Sequence, residues 1–144
     1  MGEHTIREAF PIVAGDFAAA GEVSARIKRI LKQLGVDAGV LRRVSIAVYE
    51  VELNLVIHSF GGRIELTVDP GRVSLRITDD GPGIPDIDMA MSEGFSTAAD
   101  DVRMLGFGAG MGLPNMRRNA DEFFIQSTVG VGTEIHMGFS QAAR

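Results

Sequence analysis

The sequence predicts an α+β fold in which helices cover one face of a mixed, mainly antiparallel sheet. Two observations support this fold class: the expected strands alternate apolar and polar residues, and two long helix-forming segments precede most of them. A strand with one apolar and one polar face belongs to a sheet that is covered on one side only. Because the helices must supply that cover, residues 1–144 are expected to form a single domain, a two-layer sandwich.

A short strand and two helices are expected in the first sixty residues. Residues 4–13 alternate loosely between apolar and polar and end near Pro11, which is typical of an edge strand. Each helix is expected to begin after an aspartate cap and to end at a glycine. The two predicted helical segments run from Asp16 to Gly35 and from Asp37 to Gly61.

Four strands and a glycine-rich segment follow. Strands are expected over residues 63–69, 72–79, 122–128 and 133–139. The segment 81–112 is rich in glycine and is expected to form at most one short helix, near residues 87–91. Another helix is expected at 113–120. A glycine-rich segment of this length inside a domain is usually a lid or a linker, and its apolar residues favour a lid.

Composition excludes several classes of function. The chain has no cysteine, so it can form neither disulfides nor thiolate metal sites. Its net charge of −5 and the lack of a basic stripe argue against nucleic acid as a partner. The longest apolar region contains two glutamates, so no membrane span is expected, and the N-terminus lacks a signal-peptide layout. A cytoplasmic location fits these features.

Two polar residues share one face of the second helix, which is otherwise apolar nearly all round. Glu50 and Asn54 are four residues apart, and His58 extends the same line. A helix of this composition is expected to be buried, where a polar group without a partner costs about 2–7 kcal/mol. One candidate partner is Mg2+, which prefers a few protein oxygens together with phosphates and water. Satisfied core polar groups and a solvent-facing strip are the alternatives.

Two further polar residues are expected on inward-facing strand positions, Asp79 and Thr133. By alternation Asp79 points to the same side as Ile77, toward the helices. It also opens the turn at residues 79–84, whose glycines let the backbone pass close to a ligand. A carboxylate at the floor of an apolar pocket can accept a hydrogen bond from the exocyclic amine of adenine, where guanine presents a carbonyl oxygen. The alternatives are a turn-stabilising role for Asp79 and an ordinary strand position for Thr133.

A glycine cluster precedes the last helix, in the sequence GFGAGMGL at residues 106–113. Unpaired backbone N–H groups at such a helix start form a natural cradle for phosphate. The glycine spacing matches neither a P-loop nor a Rossmann fingerprint. A flexible linker is the alternative.

In their order along the chain these motifs resemble the GHKL superfamily of ATP-binding domains, named for gyrase, Hsp90, histidine kinases and MutL. The order is E-x-x-x-N on a helix, D-x-G-x-G after a strand, G-x-G-x-G-L before a helix and G-T in a strand. The resemblance covers roughly residues 5–140 and implies a Bergerat fold with an ATP lid. Given its small size, the chain is most similar to the stand-alone serine/threonine kinases of bacterial anti-sigma and stressosome switches, of the RsbT, RsbW and SpoIIAB type.

The resemblance also implies roles for individual residues. Glu50 would be the general base, Asn54 would ligate Mg2+, and Asp79 would accept a hydrogen bond from the adenine amine. The residues implied to bind ATP are Asn54, Asp79, Gly81, Gly83, Ile84, Gly108, Gly110, Gly112, Leu113 and Thr133.

The partners implied by the resemblance are proteins. A STAS-domain antagonist would be the phosphoacceptor, a sigma factor or a PP2C-type phosphatase would be the controlled partner, and a homodimer is expected. Two alternative functions stay open from the residues alone: an ATP-gated binding module that sequesters a partner without phosphoryl transfer, and a plain ATPase.

Overall fold

The computed structural model describes residues 5–91 and 112–141. In these two ranges the chain forms five strands, four α-helices and one 3-10 turn. Their bounds are β1 (Ile6–Ile12), the 3-10 turn (Phe17–Ala19), α1 (Glu22–Gln33), α2 (Ala38–His58), β2 (Gly62–Asp69), β3 (Arg72–Asp79), α3 (Ile87–Ala90), α4 (Gly112–Asn119), β4 (Glu122–Thr128) and β5 (Gly132–Ser140).

The five strands form one sheet in the order β1-β2-β3-β5-β4. Every pairing among the described strands is antiparallel, so the sheet expected to be mixed contains no parallel pair there. The register lines up one apolar residue from each strand in a continuous row: Phe10, Ile64, Ile77, Ile135 and Ile125. This row lies on the face that the helices cover.

The core lies between the sheet and the helices. On β2 and β3 the alternate apolar residues predicted to face inward are buried, whereas the other residues, Asp79 included, are half-buried or exposed. Helix α2 contributes the largest helical share of the core, with Val44, Val48 and Leu55 almost fully buried. The predicted two-layer α+β fold is therefore confirmed.

The start of the first helix differs from the prediction. Asp16 caps only the 3-10 turn, where its carboxylate accepts a hydrogen bond from the Ala19 amide at 3.3 Å. Helix α1 begins later, at Glu22, after Gly21 in a left-handed conformation with a φ of 99°. The cap of α1 comes instead from α2: the buried carboxylate of Glu52 accepts hydrogen bonds from the amides of Gly21, Val23 and Ser24. A residue of a neighbouring helix thus replaces the local cap.

Helix α2 is buried on one side only, which corrects the expectation of a fully buried helix. Its start is as predicted, since Asp37 accepts a hydrogen bond from the Gly39 amide at 3.1 Å. On the side away from the sheet, however, Ile46 and Tyr49 are 37% and 44% exposed. No helix within the described residues is both long enough and apolar enough to span a bilayer, α2 included.

Candidate functional site

The first part of the site lies where α2 meets the start of α4. Glu50, Asn54 and Gly112 are all half-buried there. A methyl group at Gly112 would lie 3.2 Å from Asn54 Oδ1 and 3.4 Å from Glu50 Oε2. The two polar side chains of α2 therefore point to one place, at the N-terminal end of the helix that follows the glycine-rich segment.

Burial raises the pKa of the Glu50 carboxyl above its ordinary value, because the half-buried position removes water from the ionised form. A side-chain hydrogen bond with Asn115 acts in the opposite direction and lowers this pKa. Asn115 lies three residues after Gly112 and so on the same face of α4. The carboxylate is thus partly desolvated, yet held by a neutral amide.

The second part of the site lies at the end of β3. Asp79 Oδ1 accepts a hydrogen bond from the backbone amide of Thr133 at 2.8 Å. No donor among the described residues hydrogen-bonds to Asp79 Oδ2. Burial raises the pKa of Asp79, the Thr133 amide lowers it, and the nearby Asp80 charge raises it. The end of β3 therefore holds a half-buried carboxylate with one oxygen fixed by the backbone of β5.

Thr133 contacts Asp79 through its backbone, whereas its side chain is engaged elsewhere. The hydroxyls of Thr133 and Ser127 lie 2.8 Å apart. Ser127 Oγ also accepts a hydrogen bond from the Ile84 amide at 2.8 Å. Ser127 was not predicted as a site residue, although strand alternation places it on the inward face of β4 together with Ile125.

The turn after Asp79 packs against the loop that joins β4 and β5. The amide of Gly81, a buried residue, donates to the carbonyl oxygen of Val131 at 3.2 Å. Gly83 has a φ of 76°, and a Cβ there would lie 2.5 Å from the Thr128 carbonyl oxygen. The close approach that requires glycine is therefore made to the protein's own backbone in this structure. Gly132 is confined in the same way, because a Cβ there would overlap the Asp79 carbonyl.

Helix α2 connects the two parts of the site. Glu50, Asn54 and His58 follow one another at intervals of four residues, and the rise from Glu50 to His58 is about 12 Å. At the far end of this line, a Cβ at Gly81 would lie 3.7 Å from the His58 carbonyl oxygen and 3.5 Å from Asp79 Oδ1. Burial lowers the pKa of His58. The Glu50 and Asp79 regions thus lie toward opposite ends of the row that Glu50, Asn54 and His58 form on α2.

The remaining predicted site residues lie in different surroundings. Leu113 is 7% exposed and belongs to the hydrophobic core at the start of α4. Gly108 and Gly110 lie outside the described residues. Within the described ranges, no group of three or more histidine, aspartate or glutamate residues is arranged to hold a metal ion.

A family model described as "Histidine kinase-, DNA gyrase B-, and HSP90-like ATPase" matches residues 39–143, a span that includes both parts of the site. The serine/threonine-protein kinase RsbT of Bacillus subtilis (strain 168) is 36% identical over 124 residues, which are 83% of this chain and 85% of that protein. An anti-sigma F factor of Thermoanaerobacter sp. (strain X514) is 31% identical over 99 residues, 65% of this chain and 66% of the relative.

A crystal structure of RsbU and RsbW domains from Mycobacterium tuberculosis has a TM-score of 0.63. The match covers 96% of this chain and 33% of the other, and at 19% identity it shows the fold alone. The fold and the family matches confirm the resemblance expressed by the sequence motifs. The chain belongs to the family of histidine kinase-, DNA gyrase B- and HSP90-like ATPases.

Proposed function

We propose that this protein is an ATP- and Mg2+-dependent protein serine/threonine kinase of a bacterial partner switch. Its phosphoacceptor would be a STAS-domain antagonist, and the controlled partner a sigma factor or a PP2C-type phosphatase. The observation that carries the proposal is the convergence of Glu50, Asn54 and Gly112 at the start of α4. The similarity to a relative named as a serine/threonine-protein kinase supports it.

Asp79 is proposed to recognise the adenine ring. Its Oδ1 is fixed by the Thr133 amide, which orients the carboxylate, and Oδ2 is left to accept a hydrogen bond from the exocyclic amine. Gly81, Gly83 and Ile84 continue the chain from this carboxylate and would border the base. The phosphates would extend along α2 toward Gly112 and Leu113. Gly108 and Gly110, which lie outside the described residues, belong to the same proposed set of ATP-binding residues.

The residues near Gly112 fit a magnesium ion by their chemistry. Asn54 Oδ1 is a neutral oxygen donor beside the Glu50 carboxylate, and Mg2+ characteristically combines one or two protein oxygens with phosphate and water oxygens. Asn54 is proposed as the ligand. When bound, Mg2+ would neutralise the phosphate charge that builds up during transfer.

Glu50 is proposed to act as the general base. The acceptor hydroxyl would lose its proton to Glu50 as its oxygen bonds to the γ-phosphorus, and the bond from that phosphorus to the ADP oxygen would break. Burial raises the pKa of Glu50, which makes its ionised form a better proton acceptor than an exposed glutamate. Positioning by Asn54 and Asp79 supplies the rest, because phosphoryl transfer depends on alignment and charge stabilisation.

Two variants test the division of roles. Asp79→Asn should lose ATP affinity measured by calorimetry, since the amide places an N–H donor opposite the adenine amine unless it rotates to present its oxygen. Glu50→Gln should bind ATP normally but lose transfer of labelled phosphate to a STAS-domain protein. Glu65→Gln is the matched control, because Glu65 lies on the sheet and pairs with Arg63 and Arg76 at the surface. Wild-type transfer by Glu50→Gln would refute the assignment of the base.

An ATP-gated binding module is the second candidate, and the similarity to anti-sigma F factors favours it. In that case the protein would sequester a partner, with affinity set by whether ATP or ADP is bound. Partner binding that differs between the two nucleotides and survives Glu50→Gln would indicate this function. Sedimentation of the protein with and without nucleotide would test the homodimer expected for either function.

A further inference from the structure

We propose that Asn115 is a positioning residue for Glu50: its side-chain amide bridges the Glu50 carboxylate and the Arg118 guanidinium and fixes the direction in which the carboxylate points. The inference rests on the proposed function, in which Glu50 accepts the proton from the phosphoacceptor. None of the sequence motifs on which the family resemblance rests includes residue 115.

The placement of Asn115 follows from the packing of α4 on α2. Gly112 and Asn115 are three residues apart and lie on one face of α4. That face meets α2, because the Gly112 position is in contact range of both Glu50 and Asn54. Asn115 is half-buried, whereas Arg117 and Arg118 are exposed. Of these α4 residues, Asn115 is thus the one that extends the Gly112 face by one turn toward Glu50.

The orientation of the amide is set by the chemistry of its two neighbours. Arg118 Nη1 donates to Asn115 Oδ1 at 3.0 Å, and a guanidinium can only donate. The Asn115 side chain is within hydrogen-bonding reach of Glu50, and an ionised carboxylate can only accept, so the Nδ2 group faces Glu50. The amide therefore has one consistent arrangement, with its oxygen toward Arg118 and its nitrogen toward Glu50. No other amino acid of the same size offers both groups.

The backbone at Asn115 is also held in place. Asn119 Nδ2 donates to the Asn115 carbonyl oxygen at 2.8 Å, and Arg43 of α2 donates to the Asn119 carbonyl oxygen at 3.0 Å. Helix α4 is thereby fastened to α2 one turn beyond Asn115. A rigid support of this kind determines where a carboxylate points, and misplacing a reactive group by about 1 Å can cost about 100-fold in rate.

Three substitutions separate hydrogen bonding from shape. Asn115→Leu keeps the approximate volume without polar groups, and Asn115→Asp keeps an acceptor for Arg118 but sets a second carboxylate against Glu50. Asn115→Gln retains both groups on a longer side chain. The maximal rate of phosphoryl transfer should fall about 10- to 100-fold for Leu, at least as much for Asp, and less for Gln. ATP affinity measured by calorimetry should stay within about threefold.

Arg117→Gln is the control, since it changes an exposed charge of the same helix. Thermal denaturation of each variant establishes that it is folded before its rate is compared. A purely structural role for Asn115 predicts that rate and ATP affinity fall together, or that Leu and Gln behave alike. Either result would overturn the inference.

A double-mutant cycle with Glu50→Ala completes the test, with transfer of labelled phosphate followed for hours to detect slow residual activity. If Asn115 acts through Glu50, adding Asn115→Leu to Glu50→Ala should change the rate less than twofold, because the group being positioned is gone. A full additional loss would contradict the inference. Reduced transfer in Glu50→Ala with a normal rate in Asn115→Leu overturns this inference alone, whereas normal transfer in Glu50→Ala overturns the proposed function as well.

Discussion

Two glutamates two residues apart on α2 have opposite surroundings. Glu52 is 2% exposed and accepts hydrogen bonds from three backbone amides and the Ser24 hydroxyl, so its oxygens are fully used in capping α1. Glu50 is half-buried, faces α4, and is held within the described residues by the Asn115 amide. The side of α2 toward α1 therefore uses its carboxylate for structure, and the side toward α4 keeps its carboxylate available for chemistry.

The largest expected effect is on stability and comes from Glu52. Glu52→Ala leaves the buried amide and hydroxyl of Ser24 and the part-buried amide of Gly21 without an acceptor. At about 1–3 kcal/mol for each lost partner, the free energy of unfolding should fall by about 3 kcal/mol or more. Glu50→Ala should change it by less than about 1 kcal/mol, because only the half-buried Asn115 amide loses its partner and water can replace it there. Urea denaturation of both variants measures the difference. Equal losses of unfolding free energy in the two variants would contradict the difference between the sides of α2 that face α1 and α4.

Gly83→Ala probes the region around Asp79 and should lower the free energy of unfolding by about 2–3 kcal/mol. The alanine would have to adopt a φ of 76°, and its Cβ would lie 2.5 Å from the Thr128 carbonyl oxygen. Gly130→Ala is the matched control, since its φ of 81° is similar but nothing lies within 4 Å of the added methyl. Denaturation midpoints should therefore rank Gly130→Ala above Gly83→Ala. The reverse order would show that the contact with the β4–β5 loop is unimportant.

Gly112→Ala should affect the nucleotide more than the fold. The added methyl would lie 3.2 Å from Asn54 Oδ1 and 3.4 Å from Glu50 Oε2, which displaces both side chains slightly. We expect ATP affinity to fall about tenfold, equivalent to about 1.4 kcal/mol, with stability nearly unchanged. Calorimetry with ATP and Mg2+ measures the change. Gly71→Ala, in an exposed turn far from these groups in sequence, should bind ATP normally.

The smallest effect is a pH dependence at Asp79. Burial raises the folded-state pKa of Asp79 above its ordinary value of 3.8, so its ionised form is disfavoured by folding. Its contribution to stability is therefore present below the unfolded pKa and is lost as the pH rises through the folded one. Relative to Asp79→Asn, the free energy of unfolding of the wild type should fall by up to about 1 kcal/mol between pH 3 and neutrality. The effect is small because solvent screens a half-exposed group. A difference that grows in the opposite direction would mean that Asp79 is stabilised as an anion.

Much of the fold follows from short-range patterns. The period of two on β2 and β3 predicted which residues are buried, since a single covered face permits one orientation only. The strand order depends on long-range pairing that these patterns do not encode. The helix start at Asp16 was predicted wrongly because the cap of α1 comes from Glu52, about thirty residues away. The exposed side of α2 was also missed, because composition does not show which apolar face meets solvent.

Parts of the candidate site could be predicted where residues of one helix or strand recur at its regular spacing. The spacing of Glu50 and Asn54 placed them on one face, and strand alternation pointed Asp79 inward. Asn115 and Ser127 were missed because their partners come from other elements, α2 and the turn after β3. Sequence spacing identifies residues that share an element, whereas the support between elements becomes visible only in the fold.

The most direct test is a crystal structure of the protein with Mg2+ and a non-hydrolysable ATP analogue. One nucleotide should lie along α2, with its exocyclic amine at Asp79 Oδ2. The metal should lie at Asn54 Oδ1, and the terminal phosphate should be nearest Glu50. An analogue bound with its base away from Asp79, or with its phosphates remote from Gly112, would show that the two regions do not form one site.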